Sequence, residues 1–325
     1  MKLTPEEQKV RQENIVRNLL NQIEPVIKRY TEGSYNTHRR YLSVGTRFCE
    51  FLGQTSNLQN FRNVQHRHVK AYVEFLQEKG CTPNYILTEL SGIKWLHKRM
   101  NPKSNLPQSN KSFHVDKRNP YKWNCSILPH EFDGLIKEAV RSKRMDVVMT
   151  AYIEKYFGLR HEESVTLRVH QIEYAIQYKQ LHLKNTKGGQ ERDVPVETEL
   201  QEKILNHLLD QAKKSRKQSM DYLICDNHAG SVKKKMKSFE NWMNNHKKYF
   251  VDRNRTKMKE PGKKPREDTV HWHSLRHSYY QETKKRLLAE GRLTKAQIEK
   301  ELTESMGDHR NDINNTYSDD LERIK

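Results

Sequence analysis

Hydrophobic residues recur at helical spacing from the start of the chain. Val10, Ile15, Val16, Leu19, Leu20, Ile23, Val26 and Ile27 fall three or four apart over residues 8–30, the period of an amphipathic helix. Gly33 and Ser34 break it. A second helix is predicted over 35–52, with Tyr41, Leu42, Val44, Phe48, Phe51 and Leu52, and a third over 66–78, with Val69, Tyr72, Val73, Phe75 and Leu76. Thr82-Pro83 has the form of an N-cap followed by proline at the first helical position. It opens a fourth helix through Tyr85, Ile86, Leu90, Ile93 and Leu96. Four short helices with brief connections predict one small α-helical domain over 1–112.

Residues 101–124 are polar and hold three of the ten prolines, the composition of a linker. The linker proper is expected at 113–127 and a second domain at 128–325. Helices are predicted from His130 to Val140 and over 145–157. Gly158-Leu159-Arg160 interrupts the run, and a fresh helix starts at Glu162 with Val165 and Leu167 facing inward. The period then changes to two. Leu181 and Leu183 alternate with polar residues, TKGGQ turns, and Val194 and Val196 alternate back, which predicts a β-hairpin with Lys187 at its tip. A helix near 197–213 runs into the basic stretch KKSRK. The fold class is mainly α with a small β component: a helical domain followed by a mixed α+β domain.

Charge narrows the class of partner. Sixty Lys and Arg against forty-one Asp and Glu give a net charge of +19, which favours a polyanion, nucleic acid above all. Residues 231–266 carry thirteen Lys or Arg against three acids, more than half of that excess. Phe239, Trp242, Met243, Tyr249 and Phe250 are interleaved, so its first part reads as a helix and RNRTKMKEPGKKPRE as a loop. Lys233, Lys234, Lys235, Lys237, Lys247 and Lys248 are the candidates for tracking a phosphate backbone. A solvated charge run is the competing reading.

No apolar stretch approaches the ~18 residues of a membrane span, and MKLTPEEQKVRQEN has no signal-peptide core. Cys49, Cys81, Cys125 and Cys225 are scattered without a C-x-x-C, as reduced thiols of a cytoplasmic protein would be. Neither a cofactor motif nor a metal-ligand spacing is present, so no cofactor and no metal are expected.

The candidate chemistry lies between His271 and Tyr317. His273-Ser274-Leu275-Arg276 would start a helix, with imidazole and guanidinium about one turn apart on one face. A tyrosine, Tyr317, follows in a polar segment. A His, an Arg and a phenol suit attack on a phosphodiester. With fifteen tyrosines in the chain, the tyrosine alone decides nothing. Arg160 and Lys187, each taken alone, read as surface residues.

In order, however, these residues resemble the tyrosine recombinase (phage integrase) family. YFGLRHEESVTL looks like its T-G-L-R-x-x-E box, with Arg160 as first arginine and Glu163 as acidic neighbour. TKGGQERDVPV is similar to its G-K-G-x-K-x-R-x-V-P hairpin, which carries the family's lysine onto Lys187. HSLRHSY matches H-x-L-R-H at His273 and Arg276, and MGDHRNDINNTY stands where the family has L-G-H and the nucleophilic tyrosine. The pattern departs at two places. Only eight residues follow Tyr317, where members of the family often have a further segment that docks on a neighbouring subunit. Nine residues before Tyr317 stands Asp308, with His309 one place late.

The resemblance implies an N-terminal four-helix (SAM-like) core-binding domain and a catalytic domain with a basic insertion near 231–266, which together would clamp duplex DNA. It implies Arg160, Lys187, His273, Arg276, His309 and Tyr317 as catalytic residues, with Glu163 and Asp308 behind them. Strands would be cut and rejoined through a 3′-phosphotyrosine, to integrate or excise a mobile element. The protein would be a monomer when free and a homotetramer on paired sites. A type IB topoisomerase-like relaxing activity, or a DNA-binding regulator with weakened catalysis, are the alternatives.

Overall fold

The computed structural model describes residues 4–29, 35–116, 125–184, 191–252, 270–307 and Tyr317. The chain divides into two compact units, Met1–Asn119 and Pro120–Lys325.

The first unit is built from α1 (Pro5–Arg29), α2 (Tyr35–Thr55), α3 (His66–Glu78) and α4 (Pro83–Arg99). In α1 the buried residues Ile15, Leu19, Ile23 and Ile27 fall four apart as one stripe, with Val16 and Leu20 packed beside it. Thr82 caps α4 as its sequence predicts, its side chain accepting from the Tyr85 N–H, with Pro83 in the first turn. The four helices close on Phe48, Phe61, Leu90, Ile93 and Leu96. Phe113 joins the same core, 1% exposed, at the end of a short 3-10 turn, Asn110–Phe113. Part of the stretch whose composition reads as linker therefore packs on this core, because Phe113 is buried there.

The second unit begins with α5 (Pro129–Arg141), α6 (Met145–Phe157), α7 (His161–Thr166) and α8 (Val169–Tyr178). The helix expected from Glu162 thus becomes two. Leu167 turns extended between them, and the backbone there bonds to Asp221 and Leu223 instead of continuing a helix. The hairpin follows as β1 (Gln180–Leu183) and β2 (Arg192–Pro195), antiparallel, with Leu181 opposite Val194 and Leu183 opposite Arg192. Side chains alternate across a strand, so Arg192 shares the inward face with Val194. Next come α9 (Glu199–Lys214), α10 (Ser231–His246), α11 (Trp272–Glu290) and α12 (Lys295–Ser305).

Leu135, Ala151, Phe157, Val165, Ile172, Val194, Phe239 and Leu275 belong to the main core of this unit. A smaller cluster joins Tyr279 and Tyr280 of α11 to Ile298 and Leu302 of α12, and includes Met306 and Tyr317. Among the described residues, no helix is long and apolar enough to cross a membrane.

Candidate active site

Three arginines from three distant segments meet at the end of α12. Arg160 stands just before α7, where Gly158 has ended α6 in the left-handed conformation (φ +63°). A side chain at Gly158 would strike the Tyr279 ring, so only glycine allows both this turn and the close approach of α11. Arg276 lies in the second turn of α11, 1% exposed. Arg192 enters from the inward face of β2.

The last carbonyls of a helix lack intrahelical partners and carry its negative dipole end. Here three successive carbonyls, at and just past the end of α12, are taken up by guanidiniums. Arg192 Nε donates to Ser305 O at 2.8 Å, Arg276 Nη2 to Met306 O at 2.5 Å, and Arg160 Nη2 to Gly307 O at 2.7 Å. Gly307 has φ +63°, and a Cβ there would lie 2.8 Å from Arg192 Cδ. Arg276 Nη1 also donates to the Gly158 carbonyl, which ties the two arginine-bearing turns together.

Glu163 is the carboxylate of this cluster. Its two oxygens accept from Arg192 Nη1 (2.7 Å) and Nη2 (2.6 Å), and from Arg160 Nη1 (2.9 Å) and the Arg160 backbone N–H (2.8 Å). Burial pushes its carboxyl up, but the Arg192 bonds and charge, with help from Arg160, hold it below its ordinary value.

Tyr317 is 3% exposed and lies along one face of α11. Its hydroxyl accepts from Arg276 Nε at 3.2 Å. Its ring centroid is 4.5 Å from His277, 5.4 Å from Tyr280 and 5.7 Å from His273. Gln281 Nε2 donates to the Tyr317 carbonyl at 3.1 Å. Positions 273, 276, 277, 280 and 281 are the i, i+3, i+4, i+7, i+8 face of a helix, so these contacts to Tyr317 all come from one face of α11.

Behind Arg276, His161 Nδ1 lies 2.6 Å from Glu154 Oε1, and its ring stacks on Trp272 at 4.6 Å. Burial pushes the Glu154 carboxyl up, against the pull of His161 and Arg276. The assembly as a whole is a cluster of three guanidiniums and the Glu163 carboxylate beside a phenol, and an excess of positive charge next to a hydroxyl is an arrangement that can hold an anion.

No protein-family model and no curated protein matches the chain. Solved structures do match its fold. The Tn1549 transposon integrase in complex with transposon right-end DNA is 15% identical over 95% of this chain and 99% of that one, with a TM-score of 0.56. XerH site-specific recombinase, bound to its difH substrate in a pre-cleavage complex, is 14% identical over 97% and 95%, with a TM-score of 0.55. The fold is that of the tyrosine recombinases.

Within this tyrosine recombinase fold, Arg160, Glu163, Arg276 and Tyr317 form one bonded cluster. His273 stands at its exposed edge, beside the Tyr317 ring. Lys187, Asp308 and His309 lie outside the described residues, as does the predicted loop RNRTKMKEPGKKPRE. Arg192 and His277 stand at the arginine of the hairpin pattern and the last histidine of H-x-L-R-H but were assigned no role, and Tyr280 and Gln281 lie in no pattern at all. For Arg192 a signal existed: with Val194 and Val196 facing the core, residue 192 must face it too, and a buried guanidinium must be paired.

The basic candidates divide as well. Lys233, Lys234, Lys237 and Lys248 are exposed and Lys247 half-buried, whereas Lys235 turns inward to Asp146 at 3.2 Å. The exposed face of α10 carries Lys234, Lys237, Asn241 and Asn245 along a shallow cleft of about 550 Å³.

Proposed function

We propose that this chain is a tyrosine-type DNA strand transferase, a site-specific recombinase or integrase acting on duplex DNA. The observation that carries the reading is the bond between Arg276 Nε and the Tyr317 hydroxyl. It brings the candidate nucleophile to an arginine forty-one residues away, inside a cluster that also holds Arg160. The known recombinases and integrases of this fold lend the reading its prior.

In this reading Arg160 and Arg276 grip the non-bridging oxygens of the scissile phosphate. About 0.1% of an unperturbed tyrosine is ionised at pH 7, so His273 serves as the base that relieves Tyr317 of its proton. The Tyr317 oxygen forms the new P–O bond while the bond to the 5′ oxygen breaks, and Lys187 protonates that leaving oxygen. The products are a 3′-phosphotyrosine and a free 5′-hydroxyl. The ester bond is retained, so a second 5′-hydroxyl can reverse the step and join strands. An ionised Asp308 would repel the phosphate, so His309, shifted one place, is assigned the remaining hydrogen bond. The exposed lysines of α10 track the backbone, and paired sites assemble a tetramer from monomers. Integration or excision of a mobile element is the biological setting.

The test is adduct formation on nicked suicide duplexes. Wild type should become covalently attached to DNA, and Tyr317→Phe should still bind duplex but form no adduct. An adduct with the Phe variant would assign the nucleophile elsewhere. Strand joining between two different duplexes, as opposed to relaxation of one, separates a recombinase from a topoisomerase.

A further inference from the structure

Arg192 has no part in the reaction just described, yet its side chain is among the most enclosed charges of the molecule. It is 5% exposed against 9% for Glu163. It meets that carboxylate with both terminal nitrogens, at 2.7 and 2.6 Å, while Arg160 offers one side-chain N–H at 2.9 Å. Two parallel bonds between planar groups are the stronger geometry. Glu163 is therefore held first by Arg192 and only secondarily by Arg160.

We infer that Arg192 is a positioning residue that takes up the charge of Glu163, leaving Arg160 cationic and oriented toward the phosphate. This rests on the reading in which Arg160 grips that phosphate. Two guanidiniums sharing one carboxylate carry a net single positive charge. Without Arg192, the carboxylate and Arg160 make a closed neutral pair, and Arg160 turns its fork onto both oxygens of Glu163. That rotation gives up its bond to Gly307 O and its attraction for an incoming anion. The third donor of Arg192, Nε on Ser305 O, fixes the end of α12 at the same time. Lysine keeps the charge but cannot reproduce the fork.

A purely mechanical staple joining β2, α7 and α12 would explain the same contacts, and charge separates the two ideas. Four proteins are compared: wild type, Arg192→Met, Arg192→Lys and the double variant Arg192→Met/Glu163→Gln. Nicked duplexes that wild type attacks are first selected from a randomised pool, and single-turnover adduct formation is then measured on them.

Arg192→Met should cleave about 100-fold more slowly, the size of effect seen when one electrostatic partner of a transition state is lost. The double variant should recover at least tenfold of that loss, although it lacks still more of the contacts, and Arg192→Lys should fall between. Where Arg192→Met does not fold, a lysine variant within about tenfold of wild type and an active double variant carry the same conclusion. Orthovanadate, a phosphate-sized anion, gives a readout independent of DNA sequence. Its Kd should rise about tenfold in Arg192→Met and return to within about threefold of wild type in the double variant. A double variant no better than Arg192→Met, or equal vanadate binding in all four proteins, overturns the inference. Absence of any adduct with wild type would instead overturn the recombinase reading, and the vanadate series would still judge Arg192.

Discussion

Each unit of this protein buries a carboxylate against arginine, and the two sites differ in charge. In the first unit, Glu89, 1% exposed, accepts from Arg47 Nη2 at 2.6 Å, from Arg47 Nε at 3.2 Å and from the Tyr72 hydroxyl at 2.9 Å. One guanidinium meets one carboxylate, and the Tyr72 phenol adds a hydrogen bond. In the second unit, Glu163 meets two guanidiniums, and Arg276 stands beside them. A balanced pair is what a fold needs to tolerate a buried charge. Excess positive charge in a buried cluster has no structural benefit of its own, and it suits a site that receives an anion. The ratio of charges, more than burial itself, separates the two clusters.

The sharpest way to break this comparison is to remove an arginine from each site. Arg160→Gln should slow single-turnover cleavage by about 10²–10³-fold and leave duplex binding nearly intact. Arg47→Met should leave cleavage by the folded protein within about threefold, but lower the unfolding free energy in urea by roughly 2–3 kcal/mol. Its side chain is 40% exposed, which keeps that loss below the full value for a buried pair. If Arg47→Met slowed cleavage as much as Arg160→Gln, charge ratio would not distinguish the two sites.

Neutralising Lys233, Lys234, Lys237 and Lys248 asks whether positive charge outside the cluster acts on DNA. The slope of log K against log salt should flatten by about 3–4 units at most, with the cleavage rate at saturating DNA unchanged. An unaltered slope would return α10 and the turn that follows it to a merely solvated face.

The Asp308–His309 pair should give a smaller and ranked effect. His309→Ala should slow single-turnover cleavage more than Asp308→Ala, which should be mild. The reverse order would put the carboxylate against the phosphate.

The smallest expected effect is on stability against pH. The folded-state pKa of Glu163 is depressed, so its contribution is fully present above the unfolded value of about 4.3. It is lost as pH falls from there through the lower folded value. The stability gap between wild type and Glu163→Gln should therefore shrink as the solution is acidified below about pH 4.3, as acid-titrated urea melts would show. A gap that widened in acid would mean that the Arg192 and Arg160 bonds do not outweigh burial at this carboxyl.

Local patterns were legible because they report local forces. The four-apart stripe of α1, the Thr82-Pro83 start of α4 and the alternation of Leu181, Leu183 and Val194 each arise from neighbours a turn or a residue away. The split between α7 and α8 was not legible, because it depends on bonds from that turn to Asp221 and Leu223. Arg192 was half legible. Its alternation with Val194 placed it inward, but nothing nearby in sequence named Glu163 as its partner.

By itself, then, the sequence determined a helical first unit, a second unit with a hairpin, a strong positive charge and the order of its arginine, histidine and tyrosine boxes. Periodicity, capping and composition act within a few residues, so the chain carries them openly. Tertiary structure alone decided which polar residues are enclosed. The first half of α11 has no clean apolar stripe, yet Trp272 and residues 274–280 are buried, because neighbours cover it on several sides. It also decided that Ser305, Met306 and Gly307 would each give a carbonyl to a different arginine. A buried charge needs a partner, and these partners come from segments that only packing brings together.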